Sequence, residues 1–173
     1  MEKKNSDNKE EELDIGELYK EAFEELKLSL SEKGVPIGAA LYHKPTKKVI
    51  ARGHNMLEQK GWVVMHAETN CIENTGRQNE ALFRECVFFT TLSPCSMCSG
   101  TILLYKIPHV VVGENQNYNG KEDFLRSKGV KVDVLNDPDT IEIFSQYAME
   151  KGEYWEEIRV RSPLKRKDPS IAK

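Results

Sequence analysis

At 173 residues the chain has the length of one domain with room for a proper core. Hydrophobic residues at 39% and charged residues at 31% give the balance of a globular fold in water, and a formal net charge of -3 supplies no overall pull toward nucleic acid or an anionic membrane. No apolar run approaches the ~20 residues that cross a bilayer, and the opening MEKKNSDNKEEELD is too polar for a secretory signal and too acidic for a mitochondrial transit peptide.

Residues 1–14 form a charged leader with almost nothing to bury, so disorder is expected there. From Leu18 to about Glu32 the spacing Leu18, Ala22, Leu26, Leu30, widened by Phe23, predicts a helix with one apolar stripe, and Gly34 is placed to end it. Val35–Tyr42 and Lys48–Arg52 predict a hairpin, and Gly53-His54-Asn55 leaves its second strand where a residue can face a ligand. A helix is expected from His66 to about Asn74, then a loop over 76–85, then a buried strand at Cys86–Leu92, whose CVFFTTL has no polar face. Ser93 as cap and Pro94 as first helical residue open the next helix. A strand at His109–Gly113, a short helix at Lys121–Lys128 closed by Gly129, a strand at Val130–Leu135 and an amphipathic helix from Pro138 to about Lys151 follow. After Gly152 come Tyr154-Trp155-Glu156-Glu157-Ile158 and a basic tail, 159–173, with Lys165-Arg166-Lys167 in a row. Strands alternating with helices predict a three-layer α/β/α sandwich.

The chemistry concentrates in two segments, His66-Ala67-Glu68 and Ser93-Pro94-Cys95-Ser96-Met97-Cys98. A reducing compartment favours metal binding over a disulfide for so close a cysteine pair, while Cys71 and Cys86, among apolar neighbours, are expected in the core. One imidazole and two thiols suit zinc, and a catalytic zinc takes three protein ligands where a structural one takes four. His66, Cys95 and Cys98 make three, which leaves Glu68 free to carry protons. The bland alternative is a structural zinc completed by Cys71, Cys86 or His54. His43, His54 and His109 are otherwise expected to be surface or satisfied histidines.

The pattern H-x-E followed by P-C-x-x-C is the mark of zinc-dependent nucleobase deaminases. Together with Gly34-Val35-Pro36-Ile37-Gly38, Arg52-Gly53-His54-Asn55-Met56, Thr90-Thr91-Leu92-Ser93-Pro94-Cys95 and Val111-Val112-Gly113-Glu114-Asn115, it makes residues 18–158 resemble the fungal-type cytosine deaminases of the cytidine/deoxycytidylate deaminase superfamily. The resemblance implies a five-stranded mixed sheet with helices on both faces, a deaminase domain over 15–158, one Zn2+ per subunit and a homodimer. It implies that His66, Cys95 and Cys98 hold the metal and that Glu68 shuttles protons. It places Asn55, the backbone at Ala67, Ile37, Ser93, Tyr118, Tyr154, Trp155 and Glu157 around the base, with Glu157 near the exocyclic amine. Three positions depart from the fungal pattern. Ala67 stands for Gly, as in tRNA adenosine deaminases; Glu157 stands for Asp; and Tyr118 stands for Phe.

The function implied is hydrolysis of free cytosine to uracil and ammonia, a pyrimidine-salvage step, with 5-substituted cytosines such as 5-fluorocytosine also accepted. The competing functions are guanine or tRNA adenosine deamination and a non-catalytic, zinc-containing dimerisation subunit. Negative net charge argues against a nucleic-acid partner. The absence of an apolar span argues against a membrane, and the cytosol, with the nucleus also open to it, is the expected location.

Overall fold

Every residue of Cys86–Leu92 (β3) is buried, as a strand with no polar face requires, and β3 takes the middle of the sheet. The computed structural model of the chain describes residues 14–160; apart from Asp14, Arg159 and Val160, the charged leader and the basic tail lie outside the described residues. β1 (Gly38–His43) and β2 (Lys48–His54) form the antiparallel hairpin, and β1 also pairs antiparallel with β3. β4 (His109–Glu114) and β5 (Lys131–Val134) continue parallel to β3, so the five-stranded mixed sheet runs β2–β1–β3–β4–β5.

Helix α1 (Ile15–Ser31) covers one face, where Ala40, Tyr42, Val87, Phe89 and Val111 meet Tyr19 and Ala22. The alternate residues Ala39, Leu41, Phe88, Val110 and Val132 build the other core with Ala67 and Cys71 of α3 (Ala67–Glu73), Ile102 of α5 (Ser96–Leu104) and Leu125 of α6 (Glu122–Ser127). Burying each large side chain contributes roughly 1.5–3 kcal/mol, and Phe88 and Phe89 are fully enclosed, one on each face. Short helices α2 (Leu57–Lys60) and α4 (Glu80–Phe83) lie in the connections, α4 within the segment expected to be loop. No helix among the described residues is long and apolar enough to cross a membrane.

Several expectations shift in detail. The buried stripe of α1 is Tyr19, Ala22, Leu26 and Ser29, whereas Leu30 is 43% exposed; the Tyr19 hydroxyl is occupied by Thr140 and the Ser29 hydroxyl by the Val35 carbonyl, so both polar residues sit inside at no loss. The left-handed residue ending α1 is Lys33 (φ 64°) rather than Gly34, whose N–H returns to the Ser29 carbonyl. The last helix, α7, runs Pro138–Val160 with a break at Gly152 (φ 31°, ψ −105°), so the acidic aromatic segment is helical too.

Two glycines decide how the hairpin is held. A Cβ on Gly38 would overlap the α1 backbone at Ala22 and Leu26, and one on Gly53 would overlap the α3 backbone at Asn70 and Cys71. The far end of β1–β2, where Asn55 departs, is therefore clasped by helix backbone on both sides.

Candidate metal centre

Two helices begin where the metal-type residues stand. His66 is the residue before α3 and Cys95 the residue before α5; both have extended backbones (ψ 167° and 177°), and neither side chain caps its own helix. The side chains are thus free to turn away from the helix and toward each other. Helix α5 was expected to begin at Ser93-Pro94, but those two residues precede it. Ser93 spends its hydroxyl on the Gly120 N–H (2.8 Å), and the Pro94 carbonyl accepts from Lys121 N–H, so both secure the following loop rather than the helix.

The three donor atoms come together. His66 Nδ1 lies 3.6 Å from Cys95 Sγ and 3.5 Å from Cys98 Sγ, and the two sulfurs are 3.5 Å apart. A tetrahedron built from ordinary zinc–sulfur and zinc–nitrogen bonds has edges of about 3.8 Å between sulfurs and about 3.6 Å from sulfur to nitrogen. The donor set therefore fits zinc in kind and in spacing. Among the described residues the cluster has three members and no fourth. Cys71 and Cys86 are buried in the apolar core, and both nitrogens of His54 face carboxylates, so the candidates for a closed four-ligand site are engaged elsewhere.

The electrostatics suit metal binding and proton transfer. Cys95 is drawn down to about 3 by the Cys98 thiol, with His66 adding to the effect, while Cys98 is pushed up by Cys95 and by burial. Glu68, 4% exposed on the first turn of α3, is pushed up by burial and lies against the Cys98 thiol. A carboxyl raised in this way is a better proton acceptor than an ordinary glutamate, as a proton carrier needs to be.

Asn55, buried directly after β2, donates its N–H to the Ile37 carbonyl, and its Oδ1 accepts from Leu57 N–H at 2.9 Å. Its Nδ2 has no protein partner among the described residues and remains available to a ligand. Ile37 and Ala67 are buried nearby in the same core cluster. Tyr118 is half-buried and meets Trp155 edge to face at 6.5 Å, and Trp155 in turn packs on Phe144 at 4.8 Å. Tyr154, 36% exposed, donates its hydroxyl to the Glu58 carboxylate. Glu157 is exposed on α7 beyond the break, within electrostatic reach of Tyr154.

Sequence reasoning gave no role to Glu114 and Asn117. The buried Glu114 carboxylate accepts the N–H groups of Gln116 (2.6 Å) and Asn117 (3.0 Å) and the Asn117 amide (3.2 Å). Asn117 also reaches the Ile141 carbonyl and receives the Ser145 hydroxyl, tying the Tyr118 loop to α7. A glutamate ending an apolar strand and followed by Asn-x-Asn was the available signal.

Residues 14–114 match the family model described as the cytidine and deoxycytidylate deaminase zinc-binding region. Over 136 residues the chain is 41% identical to a cytosine deaminase of Candida albicans, a match covering 79% of this chain and 90% of that one. It is 38% identical over 109 residues to a tRNA-specific adenosine deaminase of Streptococcus pyogenes, covering 61% of this chain and 67% of the relative. Among solved structures, a guanine deaminase from Nitrosomonas europaea superposes with a TM-score of 0.61 at 17% identity, covering 76% of this chain and 83% of that one. At that identity the likeness bears on the fold alone.

Proposed function

The chain belongs to the cytidine and deoxycytidylate deaminase family, and on that premise we propose that this hydrolytic deaminase acts on free cytosine, releasing uracil and ammonia as a pyrimidine-salvage step. The observation that carries the reading is a three-member His/Cys/Cys cluster with a buried carboxyl beside it, its pKa raised by burial. His66, Cys95 and Cys98 would hold one zinc ion. When bound, zinc lowers the pKa of a coordinated water to about 7, which supplies a nucleophile at neutral pH.

The protein's own groups do the rest. Glu68 collects the proton of the attacking water and passes it to the ring nitrogen beside the amine; it then takes the second proton from the hydroxyl added to the ring carbon and gives it to the departing amine, leaving a carbonyl and ammonia. Two sulfur ligands leave the metal less Lewis-acidic than three imidazoles would, so this base matters more here. Asn55 Nδ2 donates to the pyrimidine edge, held in plane because Oδ1 is fixed by Leu57 N–H. Trp155 and Tyr118, in edge-to-face contact, form the aromatic wall that excludes water from the ring, and Ile37, Ser93, Tyr154 and the Ala67 backbone complete it, with Glu157 near the amine. 5-Fluorocytosine is accepted as a close isostere.

Support for cytosine comes from the 41% identity to a cytosine deaminase along 90% of its length. A second reading, tRNA adenosine deamination, is favoured by Ala67 and by the 38% identity to the streptococcal protein. One experiment separates the readings: ammonia release from cytosine, guanine, adenosine and a tRNA anticodon stem-loop, with and without a chelator. Cytosine alone should be turned over, in a chelator-sensitive manner; turnover of the stem-loop with cytosine inert would replace the proposal. A homodimer accompanies the reading, and the exposed apolar Trp62, Val63, Val64 and Leu104 are side chains a second copy would cover.

A further inference from the structure

His54 is the last residue of β2 and the immediate neighbour of Asn55. Its Nδ1 lies 2.7 Å from a Glu25 carboxylate oxygen and its Nε2 3.1 Å from a Glu32 carboxylate oxygen. Carboxylates only accept, so satisfying both contacts needs a proton on each ring nitrogen at once, and only the imidazolium carries two. Glu25 lies on α1, which covers one side of the hairpin, and Glu32 is the residue capping its end about two turns on, so a single ring spans both. On the other side the His54 N–H donates to Asn70 Oδ1 at 3.2 Å, and the Asn70 N–H donates to the His66 carbonyl at 2.8 Å.

The residue before Asn55 is thereby tied to α1 through its side chain and, through its backbone, to α3, the helix that follows His66. Asn55 itself has weaker anchors: one N–H bond to Ile37, a 3.4 Å approach of its carbonyl by the Ser29 hydroxyl, and the turn to Leu57. Neither His43 nor His109 is bridged in this way. His43 faces Glu85 at 3.4 Å with its second nitrogen on Thr46, and His109 faces Asp133 alone. Those two end β1 and begin β4, whereas His54 sits beside a ligand-facing amide.

We propose that the His54 imidazolium, bridging Glu25 and Glu32, is a positioning residue that fixes where Asn55 presents its amide and so sets affinity for the base. The inference rests on Asn55 as a substrate contact. Glu25 holds the ring above the ordinary histidine range, with burial opposing it and Glu32 adding to it. The sign follows. A folded-state value raised above the unfolded one means that the bridge is whole below about pH 6.5 and is lost as pH rises through the raised value. The groups facing the ring are Glu25 of α1 and Glu32 at its C-cap, with the buried Cys71 thiol of α3 near Glu25, while Asn70 of α3 accepts the His54 backbone N–H. From α2, Gln59 donates to Glu32, and on β2 Arg52 is paired with Glu21.

The test uses the zinc-loaded, full-length protein and two variants, His54→Gln and the milder Glu32→Gln, whose side chain is 40% exposed and retains an acceptor. Ring-proton NMR should give His54 a midpoint above 6.5, lowered by Glu32→Gln, and the Asn55 side-chain amide signals should shift with that same midpoint. His54→Gln should raise KM for cytosine about five-fold and lower kcat by less than about two-fold, the same direction as loss of the Asn55 contact but smaller, because the amide is displaced rather than removed. Both variants should keep their zinc, and the alkaline rise of KM in the parent should move down in Glu32→Gln. Asn55 amide signals that ignore both His54 protonation and His54→Gln in a folded protein would overturn the proposal. Signals that follow His54 while KM stays constant would uphold the positioning and remove Asn55 as a cytosine contact, so the two failures are distinguishable.

Discussion

His66 and Cys95 stand at the same position in two helices, each the last extended residue before the first turn, while Tyr154 and Trp155 stand beyond a break in a third. The first pair is anchored from behind. The segment before Cys95 is continuous with fully buried β3, and His66 leads into α3, packed against the hairpin at Gly53. The second pair lies past the break at Gly152: Trp155 is buried against Tyr118 and Phe144, while Tyr154 is held by one hydroxyl–carboxylate bond at the surface. The groups proposed to hold a metal and move a proton are fixed by the core, whereas those proposed to close around a base rest in part on a surface contact that can be traded. Within a family that accepts several bases, reaction type should therefore resist substitution more than substrate choice does.

The contrast is broken most severely at the ligands. His66→Ala or Cys95→Ala leaves two donors, so zinc should be lost, deamination should fall to background, and the melting temperature should drop with the bound ion's contribution. Metal analysis and a thermal scan check this; a variant that retained one zinc per chain would remove that residue from the ligand set. Next in size is Glu68→Ala. Its metal content should remain one per chain while kcat falls about 10²- to 10⁴-fold, the range of a lost general acid–base. A zinc-replete variant with ordinary turnover would take proton transfer away from Glu68.

Asn55→Ala should come third, raising KM and lowering kcat together, by about ten-fold in kcat/KM for one well-made hydrogen bond to substrate. Steady-state kinetics on cytosine read it directly. Unchanged constants would move substrate recognition away from the end of β2.

The anchored half was the more legible. Cys86–Leu92 has no polar residue outside its two threonines, so its bounds and burial could be read from seven letters. The metal donors were legible because only a few residue types bind zinc and two of them lie three apart. The errors came where a polar residue found a partner distant in sequence. Tyr19 is buried because Thr140 lies 121 residues away, and Ser29 because the chain turns back at Val35. The start of α5 was misplaced because Ser93 looks like a cap until Gly120 arrives to take its hydroxyl. Gly152 was taken as an end although the helix resumes past it, and no local pattern joins Tyr154 to Glu58, 96 residues away.

That last contact is also where the smallest effect is expected. Tyr154→Phe keeps the ring and removes only the hydroxyl that donates to Glu58. Burial, then the Glu58 carboxylate, holds this phenol well above the usual tyrosine range, so at neutral pH it is a neutral donor and its loss changes no charge. A hydrogen bond at a side chain 36% exposed exchanges readily with water, so its net worth is at or below the ~1 kcal/mol typical of such bonds. The melting temperature should therefore move by only a few degrees, and KM for cytosine by about two- to three-fold, because part of the wall has lost its latch while Trp155 remains on Phe144. Zinc content and kcat should match the parent. A ten-fold fall in kcat would mean that the hydroxyl reaches the reacting base, and the division between a fixed chemical half and an adjustable closing half would have to be redrawn with Tyr154 on the chemical side.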